Sequence, residues 1–181
     1  AWPLPMEQLG QGYGYTLYRS ALKEKSVQQM GADIFARDSY VKLADLPQLY
    51  LDAVVAAEDH RFFRHNGIDI LAIGRAVLHD IQAMSLVEGG STITQQLAKN
   101  LFRIRERTEG EVHSNGNILI FKLKEWITAA RLEYNYTKEE ILAMYRNTVD
   151  YGSNAYGIKT AARQFFNKPP AELPTNDAGM E

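Results

Sequence analysis

Apolar residues recur at helical spacing along most of the chain, and their phase predicts the elements. From Leu46 onward, Leu49, Ala53, Ala56, Ala57 and Phe63 keep one face apolar, and Pro47 suits a helix first turn. Asp69 is placed to cap a second helix reaching about Met84, with Ile73, Val77 and Ile81 on its inner face. Gly89 and Gly90 break that helix, and Ser91 is a cap for a third, along which Ile93, Leu97 and Leu101 form a stripe. The charged stretch 103–117, with Gly110, Asn115 and Gly116, reads as a mobile surface loop. A long helix is expected from about Ile118 to Tyr134, turning Leu119, Leu123, Trp126, Ile127 and Ala130 inward. Thr137 caps the next, which buries Ile141, Leu142, Tyr145 and Val149, and a last helix from about Tyr156 to Phe166 stops at Asn167 and Pro169-Pro170. Residues 1–40 have no clear period beyond a short helix near Ser20–Met30, so they read as an opening segment ahead of a domain over 41–181. With no strand alternation and no internal repeat, the fold class is mainly α.

Composition narrows the chemistry. A chain of 181 residues fits one domain with a substantial core. A formal charge of −2 argues against a nucleic-acid partner. The absence of cysteine excludes a disulfide framework, a thiolate nucleophile and a thiolate-bound metal. His60, His65, His79 and His113 occur singly, without the paired spacing of a zinc site. No run approaches the ~20 apolar residues that cross a bilayer. The opening Ala1-Trp2-Pro3 shows no signal-peptide pattern, so the chain reads as soluble, a mature or trimmed segment separated from any anchor.

Four polar constellations remain. In the first, Glu58 to Gly67, a helix would bring Glu58, Arg61 and Phe62 within one turn, with His65 a turn further on. A carboxylate at the end of a buried alanine-rich stretch becomes a stronger base through desolvation. The same spacing suits an ion pair between Glu58 and Arg61 or Arg64, which on spacing alone is the more ordinary reading, and spacing does not settle between them. In the second, Glu88 to Asn100, a diglycine precedes Ser91, Thr92, Thr94, Gln95, Gln96 and Lys99 around a helix N-terminus, a cradle for an anion or sugar or simply a capped polar face. In the third, Lys122 and Glu125 share a helix face and suit either a diphosphate or an intrahelical salt bridge. The fourth, Lys138 to Gly152, reads mostly as capping and packing, Tyr145 and Asn147 included.

In order, these blocks resemble the family 51 glycosyltransferases, the peptidoglycan transglycosylases that occur alone or as the N-terminal half of class A penicillin-binding proteins. The resemblance spans about residues 40–173 and rests on Glu58, Asp59, Phe62, His65 and Gly67, on the whole Gly89–Asn100 block, on Lys122 and Glu125, and on the Lys138–Ala162 series. It implies a lysozyme-like helical domain with a small membrane-facing lobe. It also implies polymerisation of lipid II into β-1,4-linked glycan, with inversion at the MurNAc anomeric carbon and release of undecaprenyl diphosphate. Glu58 then matches the general base and Glu125 the glutamate that assists diphosphate departure. Ser91, Thr92, Gln95, Gln96 and Lys99 match the donor cleft, Lys122 supplies positive charge, and Arg61 supports Glu58 and binds phosphate or sugar. Asp59 and His65 are expected to hold the loop rather than react. No obligatory cofactor is implied, and Glu125 is the candidate ligand should a divalent ion, Mg or Mn, take part. The implied partners are lipid II, the growing glycan strand, the cytoplasmic membrane surface on its outer face in the bacterial envelope, and other cell-wall synthesis proteins.

Two departures accompany the resemblance. Phe121 stands where the family usually has an arginine before the lysine, leaving Arg103, Arg105 or Arg107 to compensate, and the chain ends at Glu181 inside what would be a further helix. Two other functions stay open: a muramidase or lytic transglycosylase on the related fold, and a catalytically weak domain that binds glycan or partner synthases.

Overall fold

Ser26 starts the first described helix by accepting the Gln29 amide on its hydroxyl at 3.2 Å, and α1 (Val27–Phe35) follows. The computed structural model describes residues 26–75, 90–109 and 118–173. After α1, α2 (Gln48–Asp59) begins behind Pro47, and α3 is described over 70–75. Then come α4 (Ile93–Glu109), α5 (Ile118–Asn135), α6 (Lys138–Arg146) and α7 (Ile158–Phe166). Among the described residues there is no strand, only an isolated antiparallel bridge between Asp150 and Tyr156. The mainly α class expected from the periodicity is what the chain adopts.

The core forms where α4 lies along α5 and α6. Ile93, Leu97, Ala98 and Leu101 bury one face of α4 against Leu132 of α5 and Ile141, Leu142, Met144 and Tyr145 of α6. Burying each large aliphatic side chain contributes roughly 1.5–3 kcal/mol, so this three-helix contact dominates the packing. A reciprocal capping box fixes the start of α6: Thr137 Oγ1 accepts from the Glu140 amide and Glu140 Oε2 from the Thr137 amide. At its other end Asn147 donates to the Val41 and Ala143 carbonyls and accepts from the Val41 amide, each at 2.8 Å. Gly157 packs against the Asn147 carbonyl with φ of 78°, where a Cβ would stand 2.7 Å from that oxygen.

Several expectations are corrected by this packing. The early helix sits at Val27–Phe35 rather than Ser20–Met30, whose first six residues lie outside the described part. Val27 and Ile34 already belong to the core, so packing begins ahead of residue 41. α2 turns Leu51 inward with Tyr50, Val54 and Val55, while Leu49, Ala53, Ala56, Ala57 and Phe63 are exposed. The valines and Leu51 offer more apolar area than alanines do, which favours that rotation. Residues 103–109 extend α4 rather than forming a loop, because the run is rich in helix-favouring Arg and Glu and has no breaker before Gly110. The side chains of Arg103, Arg105, Arg107, Leu119 and Phe121 lie outside the described part, as do Val77, Ile81, Met84, Glu88 and Gly89.

α5 is rotated from its expected phase. Glu125, Thr128, Ala129 and Leu132 are buried, Trp126 and Ile127 only partly, and Leu123 and Ala130 are exposed. The Gly67 turn presses on this face: its φ is 84° and a Cβ there would come within 3.2 Å of the Ala129 backbone. A bulky stripe at that contact would push the turn away, so small and polar residues face inward.

Candidate active site

Glu58 lies in the last turn of α2 with its side chain exposed, so the desolvation expected from an alanine-rich helix end is absent. The ion pair with Arg61 is absent as well; Arg61 Nη1 lies 3.4 Å from Asp69 instead. What holds Glu58 is Gln96, in the first turn of α4, whose Nε2 donates to Glu58 Oε2 at 2.9 Å. Gln96 Oε1 in turn accepts from the Tyr145 hydroxyl at 2.9 Å. Three helices therefore converge on one carboxylate.

Asp59, the next residue, is buried and structural. It receives His65 Nε2 at 2.9 and 3.0 Å and the Ile93 amide at 3.1 Å, fastening the end of α2 to the first turn of α4. Asp69 caps α3 through the Leu71 and Ala72 amides, each at 3.0 Å. Burial alone would raise the Asp69 pKa, but the Ala72 amide, Arg61, His65 and the Leu71 amide together hold it below its ordinary value.

The start of α4 is capped by Thr92 rather than Ser91. Thr92 Oγ1 accepts the Gln95 amide, Gln95 Oε1 accepts the Thr92 amide, both at 3.1 Å, and Thr92 Oγ1 donates to the Gly67 carbonyl at 2.6 Å. Thr92 and Gln95 are buried and so engaged in shaping the helix start. Thr94 is also buried and donates to Glu133, which pairs with Lys138 at 2.7 Å. Ser91, Gln96 and Lys99 remain at least partly open.

Ser91 is drawn into a second cluster. Lys122 Nζ lies 3.3 Å from Ser91 Oγ and 3.0 Å from Glu125 Oε1. The Glu125 side chain is 2% exposed and that of Lys122 44%, so a buried carboxylate anchors an ammonium that still reaches solvent. This donor set does not fit a divalent ion, since the lysine already engages Glu125 Oε1 and, among the described residues, no group of three or more ligand-type side chains includes Glu125. Asp59, His65 and Asp69 do bring three ligand-type atoms within 4.8 Å of one another, but the Arg61 guanidinium stands against Asp69.

Behind Tyr145, Arg146 is buried with its guanidinium 4.5 Å from the Tyr50 ring centroid and 4.8 Å from that of Tyr151. The Tyr50 and Tyr151 hydroxyls meet at 3.0 Å. Burial pushes the Arg146 pKa down to about 10, with Tyr151 opposing. Burial also raises the Tyr145 and Tyr151 pKa values, and the Glu58 charge adds to both, so the two hydroxyls stay protonated. The sequence had marked Glu58, Gln96, Lys122 and Glu125 individually. The Tyr145 contact, made across 49 positions, carried no local signal.

Comparison with known proteins gives the family. Residues 24–180 match the family described as Transglycosylase. Among similar proteins, penicillin-binding protein 1F of Bacillus subtilis (strain 168) is 41% identical over 140 residues, which is 77% of this chain and 18% of that protein. Penicillin-binding protein 1A of Aquifex aeolicus (strain VF5) is 42% identical over 141 residues, 78% of this chain and 18% of the other. Penicillin-binding protein 1A of Neisseria lactamica is 37% identical over 144 residues, 80% and 17% respectively. The chain thus spans under a fifth of the length of these relatives.

Proposed function

The chain belongs to the transglycosylase family, and on that footing we propose that it is a peptidoglycan glycosyltransferase polymerising lipid II into β-1,4-linked glycan. The observation that carries the reading is the meeting of two clusters at the start of α4. Gln96 holds Glu58 there, and Ser91 contacts the Lys122 ammonium that Glu125 anchors. One helix end thus joins an accessible carboxylate to an accessible cation.

In the proposed reaction the growing strand is the donor, its terminal MurNAc α-linked to the lipid diphosphate. The 4-hydroxyl of the incoming GlcNAc attacks the anomeric carbon from the opposite face. The bond from that carbon to the phosphate oxygen breaks, and undecaprenyl diphosphate leaves. Glu58 takes the hydroxyl proton. Lys122 meets the charge that grows on the departing diphosphate, and Glu125 keeps that ammonium in place. Ser91, Gln96, Lys99 and Arg61 face sugar or phosphate, whereas Thr92 and Gln95 act by fixing the helix start. No step requires a metal.

A lipid-linked substrate calls for a membrane surface, here the outer face of the cytoplasmic membrane, where other cell-wall synthesis proteins would join the enzyme. The exposed Phe63, Ile70 and Leu71, close in sequence to Arg61 and Asp69, support a membrane-facing side. Among the described residues no helix is long and apolar enough to cross a bilayer.

Labelled lipid II and, separately, purified sacculi test the reading. Polymer from lipid II that disappears in Glu58→Gln is the expected outcome. Soluble muropeptides from sacculi would instead identify a hydrolase or lyase, and binding without turnover in both would identify a glycan-binding domain.

A further inference from the structure

We propose that Tyr145 is a positioning residue that holds Glu58 in its working geometry through Gln96, by fixing which end of the Gln96 amide faces the carboxylate. The proposal rests on the assignment of Glu58 as base. It adds a residue that touches neither substrate nor the reacting atoms.

The argument follows from donor and acceptor chemistry. An ionised carboxylate only accepts hydrogen bonds, so Glu58 requires the Gln96 nitrogen. That choice points Gln96 Oε1 the other way, where it needs a donor, and the Tyr145 hydroxyl stands there at 2.9 Å. A glutamine amide has nearly the same shape either way round, so nothing steric prevents a half-turn that would aim its oxygen at Glu58. The Tyr145 donor adds to the energetic preference, because a turned amide would face two mismatches at once: oxygen against carboxylate, acceptor on acceptor, and NH2 against a hydroxyl oriented to donate, donor on donor.

Tyr145 is suited to this task by its surroundings. The residue is 2% exposed, so its hydroxyl is largely shielded from solvent. Burial and the Glu58 charge both keep the phenol protonated and hence a donor. Its ring belongs to the same buried core cluster as Ile141, and the guanidinium of the buried Arg146 lies 5.9 Å from the ring centroid. Glu58 itself is exposed at a helix end, so without this chain it would sample several rotamers. The rigid element is the tyrosine, the swivel is the glutamine, and the carboxylate is what gets placed.

Tyr145→Phe removes the hydroxyl and keeps the ring in the core. With lipid II as substrate, kcat is expected to fall about tenfold with KM within about twofold, the signature of lost positioning rather than lost binding. In a Gln96→Leu background the same change is expected to have no further effect on kcat, since its route to Glu58 is already cut. An undiminished kcat in Tyr145→Phe, or an equal loss in both backgrounds, overturns the proposal. The Gln96 side-chain amide resonances provide a readout that does not depend on turnover. Glu58→Gln should shift them strongly when Tyr145 is present and less than half as much in Tyr145→Phe; an equal response overturns the proposal even if the protein fails to polymerise lipid II. Failure of the wild-type protein to polymerise, with the resonance result as expected, sinks the assigned reaction and leaves the positioning chain standing.

Discussion

Consider Asp59→Ala. The Asp59 side chain is 5% exposed and holds His65 Nε2 at 2.9 Å and the Ile93 amide at 3.1 Å. Alanine leaves both without their acceptor, inside a region where His65 Nδ1 already has no partner among the described residues. Each stranded buried donor costs roughly 1–3 kcal/mol, and two are stranded here, so a total of about 3–4 kcal/mol is expected. For a domain of this size that corresponds to a fall in Tm of about 10 °C. Asp59→Asn keeps an acceptor for the Ile93 amide while losing the charge, so it should lose about half as much. Thermal and urea unfolding give the stabilities, and lipid II turnover is then measured well below both melting points. Under those conditions Asp59→Asn should retain measurable turnover, since Glu58 and Gln96 are untouched. An unchanged Tm combined with abolished turnover would refute the reasoning, because the carboxylate would then be acting in the chemistry.

Gly157→Ala forces a side chain into a φ of 78° and to within 2.7 Å of the Asn147 carbonyl, so it should destabilise by more than ~2 kcal/mol. Gly74→Ala, on α3 with nothing within 4 Å of the new Cβ, should instead stabilise by ~0.5–1 kcal/mol; urea titrations read both. The Asp69 pKa is lowered on folding, so the unfolded chain takes up that proton first as pH falls. Its contribution is present in full above the ordinary value of 3.8 and is lost as pH drops through the lower folded value, and Asp69→Asn should flatten the acid limb of a stability-versus-pH curve. Arg146 is buried against tyrosines with no ion pair among the described residues, so Arg146→Met should change Tm by less than a few degrees in either direction. A loss above ~3 kcal/mol would show that cation–π contacts outweigh desolvation there.

The parts legible in the sequence were those set by local chemistry. Thr137 announces its helix start, which the structure completes with Glu140 as a capping box, and Ile93, Leu97 and Leu101 keep one face of α4 whatever packs on it. The misreadings arose where a distant contact outweighs local apolar period. α5 buries Glu125 and Thr128 while leaving Leu123 exposed, because the Gly67 turn and the Lys122–Ser91 contact need a small and polar face. Glu58 sits on an exposed helix end, so its place in the site comes from Gln96 and not from burial. Local rules are expected to fail at functional sites, where the chain gives up an apolar surface to present chemistry. α2 keeps a helical period through Leu51, Val54 and Val55, so the departure that meets a proposed site residue is that of α5, where the buried Glu125 stands in a face that apolar residues would otherwise fill.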